Sequence, residues 1–212
     1  MGGLGAPAAL YLAAAGVGQI TLVDHDTVSL DNLQRQILYR TDDVGALKTE
    51  IAAKALTALD PALSVCGISQ RAAPDGLAAI LDGADMVLDG TDDFETRFAV
   101  NQAAIKARIP LVSGAVGRWD GQVSVFAPHL GGPCYRCFVP ETPPDAERCS
   151  EVGIVGALTG VIGSAMALEA IKLVAEAGEP LLGRMLIYDG LTGRARTVAL
   201  PKNPDCIDCG KL

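Results

Sequence analysis

The chain has 212 residues, half of them hydrophobic and one fifth charged, enough for one substantial domain and too apolar for a disordered chain. A formal net charge of −8 leaves no basic stripe to neutralise phosphates, which argues against a nucleic-acid partner and for a small-molecule or protein one. Residues 1–20 carry no basic n-region before an apolar run, so the expected location is cytoplasmic, and the six cysteines are expected to be thiols rather than disulfides.

The first ten residues, MGGLGAPAAL, run a glycine turn into an alanine-rich helix, Ala6–Ala15, that ends at Gly16 and Gly18. Nucleotide-binding folds hold phosphates on such a turn, because it aims backbone N–H groups and a helix N-terminus at one point. The turn ordinarily follows a buried strand, and none precedes it here. QITLVD (Gln19–Asp24) reads as a short strand, and it places Asp24 where Rossmann-type folds take ribose hydroxyls; a turn or capping aspartate is the plain alternative. Asn32, Arg35 and Gln36 then share one polar segment, with Lys48 following. A guanidinium fork and an ammonium together suit a triphosphate, although a solvated surface has the same composition.

LKTEIAAKALTAL (Leu47–Leu59) has helical spacing and stops at Asp60-Pro61. LSVCGI reads as a strand with Cys66 as an inert core thiol, DGLAAIL as a short helix, and DMVLDG (Asp85–Gly90) as a strand. Asp89, Asp92 and Asp93 gather after that strand, where open α/β sheets place ligands and where hard oxygens suit Mg²⁺. One of Asp92 and Asp93 is expected to cap the next helix, FETRFAVNQAAIKAR. The strand PLVSGAV follows, then GQVSVFAP, a long helix over Ile154–Ala177, and two strands, RMLIYDG and RARTVAL, that flank a hairpin turn at Gly190–Gly193.

This rhythm predicts an α/β fold: a Rossmann-like, mostly parallel sheet with helices on both faces and antiparallel strands toward the C-terminus, in one domain over residues 1–212. The uncharged stretch Val152–Leu168 is shorter than the roughly 20 residues of a membrane span and is followed by Glu169 and Lys172, so it reads as a core or interface helix, with no membrane partner. Cys134 and Cys137 form one CxxC, Cys206 and Cys209 another, and four thiolates close a tetrahedral Zn²⁺ site of structural type; two separate redox pairs are the alternative. His25 and His129 have no partner pattern.

GGLG, the D-x-D-x-V-x-x-x-N-L-x-R-Q segment, Lys48, T-D-D, PLVSGAV with GQVSVF, and the paired CxxC motifs together resemble the ThiF/MoeB family, the adenylyltransferases that activate ubiquitin-like sulfur carriers. The resemblance covers essentially the whole chain. It implies that the C-terminal Gly-Gly carboxylate of a carrier attacks the α-phosphate of ATP, giving an acyl-adenylate and pyrophosphate. It places Gly3 against the nucleotide, Asp24 on the ribose, Asn32, Arg35 and Lys48 on the phosphates, and Asp92 on Mg²⁺. Asp93 stands where many members have Asn. Cys149 aligns with a cysteine that in thiamine-pathway members can form a thio-linkage to the carrier, and otherwise reads as a loop residue without chemistry.

The resemblance further implies ATP, Mg²⁺ and Zn²⁺ as cofactors and a homodimer, with the molybdopterin-synthase small subunit as carrier. The thiamine-pathway carrier with Cys149 in sulfur transfer, or a degenerate member that docks the carrier without activating it, are the alternatives. A nicotinamide-dependent oxidoreductase would have no use for Lys48 and Asp92. In the family the turn reads G-x-G-G-L-G after an apolar strand and a helical segment whose arginine reaches the partner's ATP site. Met1 occupies the x position here, so the chain as written is expected to lack that strand, to fold poorly and to adenylate weakly.

Overall fold

The computed structural model describes residues 1–143 and 153–211. Helix α1 (Gly5–Ala14) follows the glycine turn and leads into strand β1 (Gln19–Val23). Helix α2 (Lys48–Leu59) crosses over to β2 (Ser64–Ile68), which lies parallel to β1. A second crossover runs through α3 (Pro74–Ile80), β3 (Val87–Asp89), α4 (Phe94–Ala107) and β4 (Leu111–Val116), again with the two strands parallel. The remaining strands are antiparallel: β5 (Asp120–Phe126), β6 (Arg184–Asp189) and β7 (Arg194–Ala199), giving the order β3-β4-β5-β6-β7. Between β5 and β6 lie the short α5 (Tyr135–Phe138) and the long α6 (Gly156–Val174).

Local chemistry sets the ends of these elements. Leu47, extended, precedes α2, and α3 carries Pro74 in its first turn, where the missing N–H has no intrahelical partner to lose. At the start of α4 the Asp93 carboxylate accepts the Thr96 N–H (2.8 Å), and Arg108 closes the helix in the left-handed region at φ 57°. Asp93 is therefore the capping member of the T-D-D pair.

The parallel pairs lie in separate sheets. Among the described residues, β1 has a strand neighbour only in β2, and β3 only in β4. The turn Met1–Leu4 touches both parts: the Met1 ammonium pairs with Asp24 just beyond β1, and Leu4 packs at Gly90 just beyond β3, where an added Cβ would stand 2.8 Å from the Leu4 Cβ. β1 keeps a single buried residue, Leu22.

Beside the cluster around the cysteines, three apolar clusters form the core of the described residues. The largest lies under α6, where Leu158, Ile162 and Met166 meet Val112, Val123 and Val125 of β4 and β5 together with Leu4 and Ala8. A second joins α1, α2 and β1 around Leu22, Val28, Tyr39 and Leu56. The third joins the aromatic rings of Phe98 on α4, Phe126 on β5 and Tyr135 on α5. Helix α6 has the length and mean hydropathy (1.6) of a membrane span, yet this side of it packs against β4, β5 and α1, as a core helix does. Cys66 corrects an expectation: it sits on β2, but it is exposed beside its exposed strand partner Thr21. Strand propensity placed it correctly in a strand but could not tell which face of a two-stranded sheet is covered.

Candidate nucleotide site and four-cysteine centre

The glycine turn, the ends of β1 and β3, and the polar segment before α2 meet at the C-terminal edge of the parallel strands, where open α/β sheets hold ligands. Gly3 faces α6: an added Cβ would stand 3.0 Å from the Thr159 side chain. The Thr159 hydroxyl donates to the Gly156 carbonyl of its own helix (2.7 Å) and lies 3.2 Å from the Arg35 carbonyl, so one threonine brings the glycine turn, the polar segment and α6 together. Asn32 and Arg35 turn back on their own segment, with Asn32 Nδ2 3.4 Å from Asp31 Oδ1 and Arg35 Nη1 3.3 Å from the Asp31 carbonyl. Gln36 is buried beside Gly2, and its Oε1 accepts no hydrogen bond among the described residues.

A bridge between Thr27 and Leu47, extended by the Val28 N–H to the Ala46 carbonyl (2.8 Å), carries Lys48 back alongside Asp26. The Lys48 ammonium is 4% exposed and bonds Asp26 Oδ2 at 2.8 Å, while Asp26 is 52% exposed. Asp26 is a residue that sequence reasoning passed over, although the D-x-D spacing around His25 carried the signal. Asp24 accepts the Asp26 N–H on Oδ1 (2.9 Å) and the Met1 ammonium on Oδ2. Burial pushes the Asp24 carboxyl up, but the ammonium, the Asp26 amide and Lys48 outweigh it and hold it below the usual carboxylate range. The buried Tyr39 hydroxyl donates to the Met1 carbonyl (2.8 Å); burial first, then Asp24, Asp26 and Asp43, drive its pKa well above that of a free phenol.

Beyond β3 the three aspartates divide their tasks. Asp89 is buried; its Oδ1 accepts the Thr91 N–H (2.9 Å) and hydroxyl (2.8 Å), while Oδ2 accepts no hydrogen bond among the described residues. Asp93 caps α4 and lies 3.5 Å from Arg71. Asp92 is exposed, and its carboxylate has no partner among the described residues, so it is the one free to meet a ligand or a cation. Arg97 is committed to the scaffold: its guanidinium donates to the Thr91 and Gly114 carbonyls and lies over the Tyr135 ring.

The four cysteines come together as the spacing predicts. Their sulfurs all lie within 4.8 Å of one another, with Cys134–Cys137 at 4.0 Å, Cys134–Cys206 at 3.6 Å and Cys137–Cys209 at 3.4 Å. Zn–S bonds of about 2.3 Å in a tetrahedron set an edge of about 3.8 Å, so the donor set fits Zn²⁺. Burial pushes the Cys134 thiol up strongly and Cys209 up to about 11. Burial acts the same way on Cys206, but the Cys209 and Asp208 amides outweigh it and bring that thiol down. Four sulfurs in this mixed state gain most from a divalent ion that turns all of them into thiolates. Cys149 lies outside the described residues.

Against known proteins, the family model for the ThiF family matches residues 1–208. The molybdopterin-synthase adenylyltransferase of Salmonella typhimurium is 43% identical over 100% of this chain and 85% of its own length. The sulfur carrier protein adenylyltransferase of Thermus thermophilus is 45% identical over 99% of this chain and 79% of its own. Among solved structures, that of E. coli MccB superposes with a TM-score of 0.87 at 24% identity, covering 100% of this chain; this chain spans 63% of that one, and the likeness concerns the fold.

Proposed function

The chain belongs to the ThiF family, and we propose that it works by transferring the adenylyl group of ATP to the C-terminal Gly-Gly carboxylate of a ubiquitin-like sulfur carrier. The carrier carboxylate attacks the α-phosphorus, the bond to the bridging oxygen of the β-phosphate breaks, and pyrophosphate leaves. Carboxylate and triphosphate repel each other, so the protein has to neutralise and align them, and positioning with fixed charge carries the rate. One observation carries the assignment: the Met1–Leu4 turn is tied to the segment of the buried Lys48 through the Tyr39 hydroxyl, which reaches both the Met1 and Lys48 carbonyls, and it packs at Gly90, two residues before Asp92, a carboxylate without a partner among the described residues.

In this reading the amides of the Gly2–Gly5 turn and the start of α1 receive phosphate oxygens, with Gly3 held at the right height by Thr159. Asp24 takes the ribose hydroxyls on Oδ2. Asn32 and Arg35 leave their weak contacts with Asp31 for phosphate, and Lys48 turns from Asp26 toward the bond that breaks. Asp92, with Asp93 beside it, would hold Mg²⁺, which supplies charge neutralisation on the phosphates. Zn²⁺ on Cys134, Cys137, Cys206 and Cys209 is structural, since all four positions are sulfur. A role for Cys149 belongs to the alternative reading, in a later sulfur-transfer step.

The carrier is of the molybdopterin-synthase small-subunit type; the protein named for that role in Salmonella typhimurium supports this choice over the thiamine-pathway carrier. The outer side of α6 supports a homodimer: Val161 and Leu168, seven residues apart and so on one side of the helix, are 45% and 57% exposed while the opposite side packs in the core. The Met1–Leu4 turn supports a single domain, since it touches Asp24 beyond β1 and Gly90 beyond β3 and so joins the two sheets. Carrier-dependent exchange of labelled pyrophosphate into ATP tests the assignment. Native mass measurement showing only monomer would overturn the dimer.

A further inference from the structure

We propose that Asn101 is the positioning residue that clamps the two CxxC pairs into one metal centre and fixes that centre to α4, an inference resting on the zinc reading above. Asn101 stands in the interior of α4 and is 1% exposed. Its two side-chain functions are each spent on a different CxxC pair. Oδ1 accepts the backbone N–H of Tyr135, inside Cys134–Cys137, at 2.8 Å. Nδ2 donates to Asp208 Oδ2, inside Cys206–Cys209, at 2.9 Å.

The neighbours of this clamp make it specific. Gln102 Nε2 donates to the other Asp208 oxygen (3.2 Å), and the Arg136 Nε lies 3.1 Å from Oδ2 as an ion pair, with no hydrogen bond from that nitrogen among the described residues. The Arg136 guanidinium in turn covers the Phe98 ring at 3.9 Å. Tyr135, Arg136 and Asp208, from inside the two pairs, therefore meet α4 while the four sulfurs converge on one another, and Ile207 alone of the inner residues turns outward, 80% exposed. Asparagine is a poor helix former and a buried amide is costly without partners, so packing alone would place an aliphatic residue here. An amide offers one acceptor and one donor in a fixed plane, which suits one backbone N–H and one carboxylate. Partners of this kind beyond the ligands typically change metal affinity about 10–100-fold.

The test uses the full chain, Asn101→Ala, Asn101→Asp, and the pair Asn101→Asp with Asp208→Asn. Zinc per chain is measured by elemental analysis, and zinc loss by transfer to a chromophoric chelator. Asn101→Ala should release zinc about 10-fold faster or more. Asn101→Asp sets two carboxylates against each other and should release it faster still, and adding Asp208→Asn should slow the release again by restoring a donor–acceptor pair. Release from Asn101→Ala within twofold of the parent, or no slowing by the second substitution, overturns the clamp and leaves the zinc reading standing. If Asn101→Ala does not fold, Asn101→Asp with and without Asp208→Asn decides alone. If the parent carries no zinc, the metal reading fails and alkylation of Cys206 and Cys209 decides: faster labelling in Asn101→Ala than in the parent sustains the clamp, and equal labelling overturns it.

Discussion

Gly163 holds α6 against the glycine turn, and replacing it should loosen the candidate site from behind. A Cβ at Gly163 would stand 2.5 Å from Pro7 Cγ and 2.6 Å from the Leu4 carbonyl oxygen, and the second of these is backbone that cannot swing aside. Ordinary contact near 3.5 Å requires α6 and α1 to part by about 1 Å. Overpacking of this kind costs about 1–3 kcal/mol. Gly160, on the same helix, is the internal reference, because a Cβ there meets nothing within 4 Å. Alanine gains about 1 kcal/mol of helix propensity at either position, so the difference between the two variants isolates the clash. For a domain of this size that difference is roughly 2–12 °C in melting temperature, with Gly163→Ala the lower. Because Leu4 lies in the turn and Thr159 touches Gly3 from the same helix, Gly163→Ala should also raise the KM for ATP. The assay is thermal unfolding of both variants at one concentration, followed by ATP titration. Equal melting temperatures would refute the close approach of α6 to the turn.

Asp26→Ala leaves the buried Lys48 ammonium without its partner and should lower stability by about 1 kcal/mol in the absence of nucleotide, the half-exposed carboxylate limiting the loss. Saturating ATP should close that gap, since phosphate takes over the ammonium; a thermal-shift gap that ATP leaves unchanged contradicts the role of Lys48. Asp93→Asn should melt like the parent and Asp93→Ala about 1 kcal/mol lower, because asparagine caps a helix as well as aspartate does; a drop for Asn as large as that for Ala would show that charge, not capping, matters. Asp24 has a lowered folded pKa, so its ionised form contributes stability above the unfolded value of about 3.9 and loses it as the pH falls through the folded value. The melting gap between Asp24→Asn and the parent should therefore be constant from neutral pH to about 5 and close below about 4; a gap that widens in acid would contradict the sign.

Elements whose signal is local were legible in the sequence. The helix over Phe94–Ala107 ends at an aspartate cap and a left-handed residue, and the CxxC spacing announces sulfurs that converge. Asp92 and Asp93 also separated as expected, one capping and one open to solvent. What stayed hidden depends on contacts far apart in the chain. Thr159 reaches Arg35 across 124 residues and Asn101 reaches Asp208 across 107, and neither pairing leaves a periodic trace. Cys66 looked buried because a strand residue has two faces and only packing says which one is covered. The Lys48–Asp26 pair was half visible: Lys48 stood out by its charge, while Asp26 was masked by the stronger Rossmann-type role of Asp24.

Carrier-dependent ATP–pyrophosphate exchange tests the central claim most directly, run with the molybdopterin-type and thiamine-type carriers in parallel, and with Lys48→Ala and Asp92→Asn beside the parent. The account predicts exchange that requires a carrier ending in Gly-Gly, is faster with the molybdopterin type, and falls about 100-fold or more in either variant. No exchange with either carrier, or exchange that both variants leave within threefold of the parent, would contradict it.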